Sequence, residues 1–285
     1  MQDFYNQRVI TSFSLWFDNR LCKDAKLIIN NSGNLYQTSD HYIPNGYTSL
    51  SSPLKQWVYN KDVAGAIIPS GIIIDGGFTA RGSVVMIDFN EGRFILDNSL
   101  VGSINYSEYS AKEFNIYQAS SDEINMVFEG SYQINSRYKI TQESGVKPYS
   151  YTVPACFISQ SYLNNDTFAF GGHEVTKTKF RVVAISDFEA ALDACISVSV
   201  DSKNKIIPLL FNRDYPLDEF GDIKSGEFSY ANLVEQRMDR YLYIDKVSAS
   251  KITSNQSLKL NPNLRYALID FYLSEPRVPQ EDYPV

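Results

Sequence analysis

The single Gly-Gly-His of this chain, Gly171-Gly172-His173-Glu174, sets an imidazole beside a carboxylate and two conformationally permissive residues. Proton transfer or metal binding is the chemistry such a group could do. A metal site, however, needs several nitrogen, sulfur or carboxylate ligands converging on one point, and the chain has only one other histidine, the distant His41. The glycine pair lies between the apolar Phe168-Ala169-Phe170 and a long alternating stretch, so it reads as a turn or bulge. These glycines are also separated by a whole strand from the next helix start, at Ser186, which removes the strand-loop-helix setting of a phosphate-binding loop.

Other reactive patterns are equally bare. Ser52-Pro53-Leu54-Lys55 fits S-x-x-K, but the companion motifs of the penicillin-binding enzymes are missing, and there is no G-x-S-x-G. No two of the 33 acidic residues stand out as a glycosidase pair. Cys22, Cys156 and Cys195 are far apart, odd in number and lack a C-x-x-C, which suggests neither a disulfide framework nor a zinc knuckle. The expectation is a protein that is not an enzyme and that needs no cofactor or metal.

Charge and composition point toward surfaces. A net charge of −7 with both signs interspersed argues against a phosphate-backbone binder. The 20 Tyr and 17 Phe against 4 Met are the inventory of strand-rich cores and protein interfaces. Lys177, Lys179 and Arg181 fall on one face of a strand, a row that could approach a nucleic-acid backbone but more often meets solvent or carboxylates across a subunit boundary. Trp57 is a candidate contact residue and a stacking platform for a sugar. The proline-rich end, with Pro276, Pro279 and Tyr283, reads as a frayed tail or as an extended arm that lies on a neighbouring subunit.

The elements follow from hydrophobic period. Val9, Phe13, Trp16, Phe17 and Leu21 share a helix face, with Gln7, Arg8, Ser12, Asp18 and Asn19 elsewhere on the cylinder. No basic region and apolar run open the chain, so neither a signal peptide nor a membrane span is expected. Residues 26–60 read as loop with edge strands. From Ala66, short Ile/Val/Phe runs alternate with Asp75-Gly76-Gly77, Arg81-Gly82-Ser83 and Asn90-Glu91-Gly92, the pattern of a β-meander that continues through 102–119, EINMVFEGSYQI and RYKIT. A connector at 144–154 marks a boundary near 148, giving units 1–147 and 148–285. In the second unit ACFISQSYL is a strand, and Thr176, Thr178, Phe180, Val182 and Ala184 line one side of the next. Ser186 to Glu189 forms a capping box for a helix, a short helix follows Tyr230, and 240–252 and 265–276 are closing strands. The order β-β-α-β-β implies an antiparallel sheet with a helix on one face. The fold class expected is α+β.

Two stretches, SSPLKQWVYNKDVAGAIIPSGIIIDGGFTARGSVVMIDFNEGRFIL with SAKEFNIY, and VPACFIS through FAFGGHEVTKTKFRVVAISD, resemble virion structural proteins of marine tailed bacteriophages with contractile tails. The architecture is similar to tail-terminator proteins, which form a hexameric ring capping the tail tube. The resemblance implies a structural, ring-forming subunit of the neck or tail connector, assembled in the host cytoplasm. It would contact copies of itself and tail tube, sheath or neck proteins, with DNA passing through the lumen and no specific nucleic-acid or membrane recognition. It supplies no catalytic residues. The alternative is a carbohydrate- or receptor-binding β-module of a baseplate or tail, with Trp57 and exposed tyrosines as platforms.

Overall fold

Phe13, the centre of the first apolar stripe, stacks on Phe180 at 4.3 Å between ring centroids and meets Phe271 edge-on at 5.1 Å. The computed structural model that establishes this describes residues 5–38, 43–83, 86–119, 132–134, 150–167, 174–237, 240–252 and 261–277. Helix α1 (Tyr5–Asn19) runs into a π-helical turn, Arg20–Asp24, and buries Val9, Phe13, Trp16, Phe17 and Leu21 as their spacing predicts. Ser12 and Asp18 are buried too, contrary to the amphipathic reading. Each is compensated by a partner: Ser12 Oγ accepts the Leu210 N–H at 2.8 Å, and Asp18 holds Lys112.

The β-rich block contains β1 (Ile28–Asn34), β2 (Tyr36–Thr38), β3 (Tyr47–Ser51), β4 (Gly71–Ile74), β5 (Gly77–Ala80), β6 (Met86–Asp88), β7 (Arg93–Asp97), β8 (Asn105–Lys112) and β9 (Asn115–Gln118). The β4-β5 hairpin turns at Asp75 and Gly76, both with positive φ, as a two-residue turn of this kind demands. Between β6 and β7, Gly92 has φ +64°, and a Cβ there would collide with the Leu54 carbonyl. Long-range pairings then sort the strands into two four-stranded sheets, ordered β1-β8-β4-β5 and β2-β3-β7-β6.

The rest of the chain adds β10 (Gln133–Ile134), β11 (Thr152–Val153), β12 (Ala155–Thr167), β13 (Glu174–Ser186), α2 (Glu189–Val200), β14 (Ile206–Pro208), α3 (Tyr230–Gln236), β15 (Tyr241–Lys251) and β16 (Arg265–Arg277). The main sheet has the order β14-β15-β16-β13-β12-β9, antiparallel except where β9 joins β12. Helix α2 begins at Glu189, after Ser186. The Ser186 hydroxyl closes a local turn by accepting the Phe188 N–H at 3.1 Å, so the capping box predicted there does not form. Ser229 does cap α3, accepting the Asn232 N–H at 3.1 Å. Pro276, expected in the tail or arm that follows the last strand, sits in β16 opposite Val175. It lies near the end of the strand, past the last pairing with β15. The strands expected in EINMVFEGSYQI and RYKIT fall outside the described residues except at 132–134.

The fold is α+β and β-rich, with α1 and α2 on one face of the main sheet. That face supplies Phe180, Val182, Ala184, Ile269 and Phe271 to a core that also contains Trp57, Phe94 and Tyr109 from the first block. One apolar interior therefore spans the boundary expected near 148, because β9 completes the later sheet and α1 covers it. The opposite face buries Phe157, Val183, Ile185 and Tyr266 in a second cluster. The excursion between β14 and α3 returns to the first block: Phe89 N–H donates to Gly221 O at 3.0 Å, and Arg81 is ion-paired with Asp222. Among the described residues no helix is long and apolar enough to cross a membrane.

Candidate functional site

The polar flank of α1 places Thr11, Ser14 and Asp18 on one stripe, about one turn apart. Facing them are Gln56 and Tyr59 from the buried segment before β4, Lys112 at the end of β8, Ile116 and Gln118 of β9, and Asn212 and Tyr215 of the excursion. Together with Asn90 they enclose a cleft of about 340 Å³. Gln56 fixes one wall: its carboxamide donates to Ile116 O at 2.8 Å and accepts the Ile116 N–H at 2.7 Å, in effect adding a residue to the edge of β9.

The floor is an ion pair. Lys112 Nζ donates to Asp18 Oδ2 at 2.8 Å, and the Tyr59 hydroxyl donates to the same oxygen at 3.1 Å. Cys22 Sγ lies 3.7 Å from Asp18 Oδ1, and the ammonium sits 4.7 Å from the centre of the Tyr59 ring. Behind the pair is a cavity of about 10 Å³, lined by Cys22, Asn60 and Tyr230 among others. The buried Tyr230 hydroxyl reaches no partner among the described residues.

Electrostatics keep Cys22, Tyr59 and Lys112 in their resting protonation states. Burial pushes the Cys22 thiol and the Tyr59 hydroxyl well up, and the Asp18 charge adds to both. Burial works against a charged Lys112, but the adjacent Asp18 more than offsets it and its pKa is raised. The carboxylate already takes Lys112, Tyr59 and Cys22 as donors. The cluster thus offers a fixed cation and fixed hydrogen bonds, and none of Lys112, Tyr59 and Cys22 is poised as a base or nucleophile.

The residues singled out from sequence lie elsewhere. Lys177 pairs with Asp166 at 3.0 Å, Lys179 with Asp270 at 2.9 Å, and Arg181 binds Asp270 through two nitrogens at 2.6 and 2.8 Å. The basic row thus finds its carboxylates on β12 and β16 of its own chain, where adjacent strands bring them within reach, rather than across a subunit boundary. Trp57 is fully buried, 4.7 Å from Tyr109, with Nε1 donating to Ser52 Oγ at 3.1 Å. It is a core residue and no platform for a partner or a sugar. Ser52 is buried beneath it, and Lys55 of the same S-x-x-K match is ion-paired with Glu91 at 2.5 Å.

Gly171, Gly172, His173, His41, Pro279 and Tyr283 lie outside the described residues, although Thr167 and Glu174, which flank the glycine stretch, are directly paired. Pro276 is exposed. Cys156 and Cys195, remote in sequence, meet with their sulfurs 3.8 Å apart in the core as free thiols. Among the described residues no group of His, Cys, Asp and Glu could hold a metal ion. The cleft itself escaped sequence reasoning. Its one visible signal is Asp18, the single acidic residue of α1, and nothing local to Lys112 announces that the two meet. Compared with known proteins, the chain matches no family model and no curated sequence.

Proposed function

We propose that this chain is a structural component of a tailed-phage virion, a ring-forming subunit of the neck or tail connector at or beside the tail terminator. The observation that carries the reading is the outer edge of the main sheet. Edge strand β14 covers β15 only at Tyr241, Leu242 and Tyr243, so the backbone of β15 from Lys246 to Lys251 has no strand partner on its outer side among the described residues. A segment from a neighbouring copy added there would extend the sheet, and repetition around an axis would close a ring.

Two further features support it. On the face away from the helices, Tyr272 lies between Lys179 and Lys246, 5.2 and 5.5 Å from their ammonium groups, with the exposed Tyr243 nearby on the neighbouring strand. This is a surface suited to a polar, aromatic contact. The titratable groups around the cleft are engaged with one another, as in a scaffold. The partners are copies of itself, as a hexamer, together with tail tube, sheath or neck proteins. Light scattering after size-exclusion chromatography, with purified tail tube present, tests the reading. A closed oligomer bound to the tube is expected, and a strict monomer overturns it.

A further inference from the structure

The cleft walls carry hydrogen-bonding capacity that the chain leaves unused. Among the described residues, the Thr11 and Ser14 hydroxyls and the Asn90 and Gln118 carboxamides have no side-chain hydrogen bond, and Asn212 Oδ1 is buried without a donor. Asn212 thus carries an acceptor that no donor of the described residues satisfies. We propose that this cleft binds a small uncharged polyol of monosaccharide to disaccharide size.

Three observations select that class. The volume, about 340 Å³, lies at the lower end of small-molecule pockets, roughly 300–1,000 Å³. Hydroxyls and carboxamides both donate and accept, as sugar hydroxyls do, so each wall group can meet a ligand O–H in either sense. At the floor Lys112 and Asp18 are 2.8 Å apart, so a charged ligand gains from one what it loses to the other, while a neutral one is not penalised. The site belongs to one chain and does not depend on the ring reading. It also replaces Trp57, which is buried, as the place where a sugar would sit.

The test is saturation-transfer NMR on the full chain with glucose, galactose, mannose, N-acetylglucosamine, maltose and lactose at millimolar concentration, followed by calorimetry on any that respond. At least one sugar should bind saturably, and Asn212→Ala should weaken it at least tenfold while leaving the circular dichroism unchanged. Glucose 6-phosphate should bind no better than glucose. Should Asn212→Ala fail to fold, Gln118→Ala takes its place, since that side chain is exposed and bonded to nothing described. The proposal is overturned by silence from all six sugars, by binding unaltered in Asn212→Ala and Gln118→Ala alike, or by a clear preference for the phosphorylated sugar.

Discussion

Lys112 and Asp18 are each almost wholly withdrawn from water, with side chains 7% and 12% exposed, so each is tolerable only in the presence of the other. Removing one partner strands a buried charge, and Lys112→Met alone should cost about 3–5 kcal/mol. The double variant Asp18→Leu with Lys112→Met should recover most of that loss, which urea denaturation of the three proteins will measure. Asp270 offers a pH-dependent counterpart. Burial pushes its carboxyl up, but hydrogen bonds from Arg181 and Lys179 outweigh this and hold it below its ordinary value. Its stabilising contribution is therefore complete above the unfolded pKa, about 4, and is lost as the pH falls through the lower folded value. Urea midpoints recorded through that acidic range should fall more steeply for the parent chain than for Asp270→Asn. Residue-scale facts of this kind were the least legible in the sequence: the basic row of Lys177, Lys179 and Arg181 was visible, but its carboxylates lie on other strands. Whether Trp57 faced solvent could not be read from its neighbours either, since polar and apolar residues flank it alike.

Helix α1 depends on its aromatic contact with the sheet. Phe180→Ala removes the ring on which Phe13 stacks and should cost about 3–5 kcal/mol, with loss of near-ultraviolet signal before the sheet itself melts. At the β6-β7 turn, Gly92→Ala meets both a positive φ and the Leu54 carbonyl, and should destabilise by more than about 1 kcal/mol in the same denaturation assay. At this scale the sequence was most readable. The stripe of α1, the hairpins at Asp75-Gly76 and Asn90-Glu91-Gly92 and the two closing strands depend on short-range period and turn chemistry, and they stand where those predict, whereas Arg81-Gly82-Ser83 joins two strands of different sheets and makes no hairpin. The start of α2 was misplaced because Ser186 satisfies its hydroxyl in a local turn, an option open to any serine ahead of a helix. The sorting of the early strands into two sheets was hidden, since β1 pairs with β8 across most of the block and no local pattern encodes that partner.

If β15 is the joining edge, lysines introduced at Ser248 and Ser250 should block addition of a further strand without altering the fold of the free chain. Assembly measured by light scattering should fall while the thermal midpoint stays within a degree or two, as surface changes of about ±0.5 kcal/mol allow. The boundary expected near 148 runs through a shared apolar interior. Turn-rich sequence marks a change of pattern, but a shared interior is set by what packs, and β9 and α1 both pack on the later sheet. That interleaving has a practical corollary. A protease site introduced between residues 119 and 150 would yield two pieces, each holding surfaces shaped only for the other. They should co-purify after the cut, and when expressed separately neither should accumulate in soluble form until both are made in the same cell.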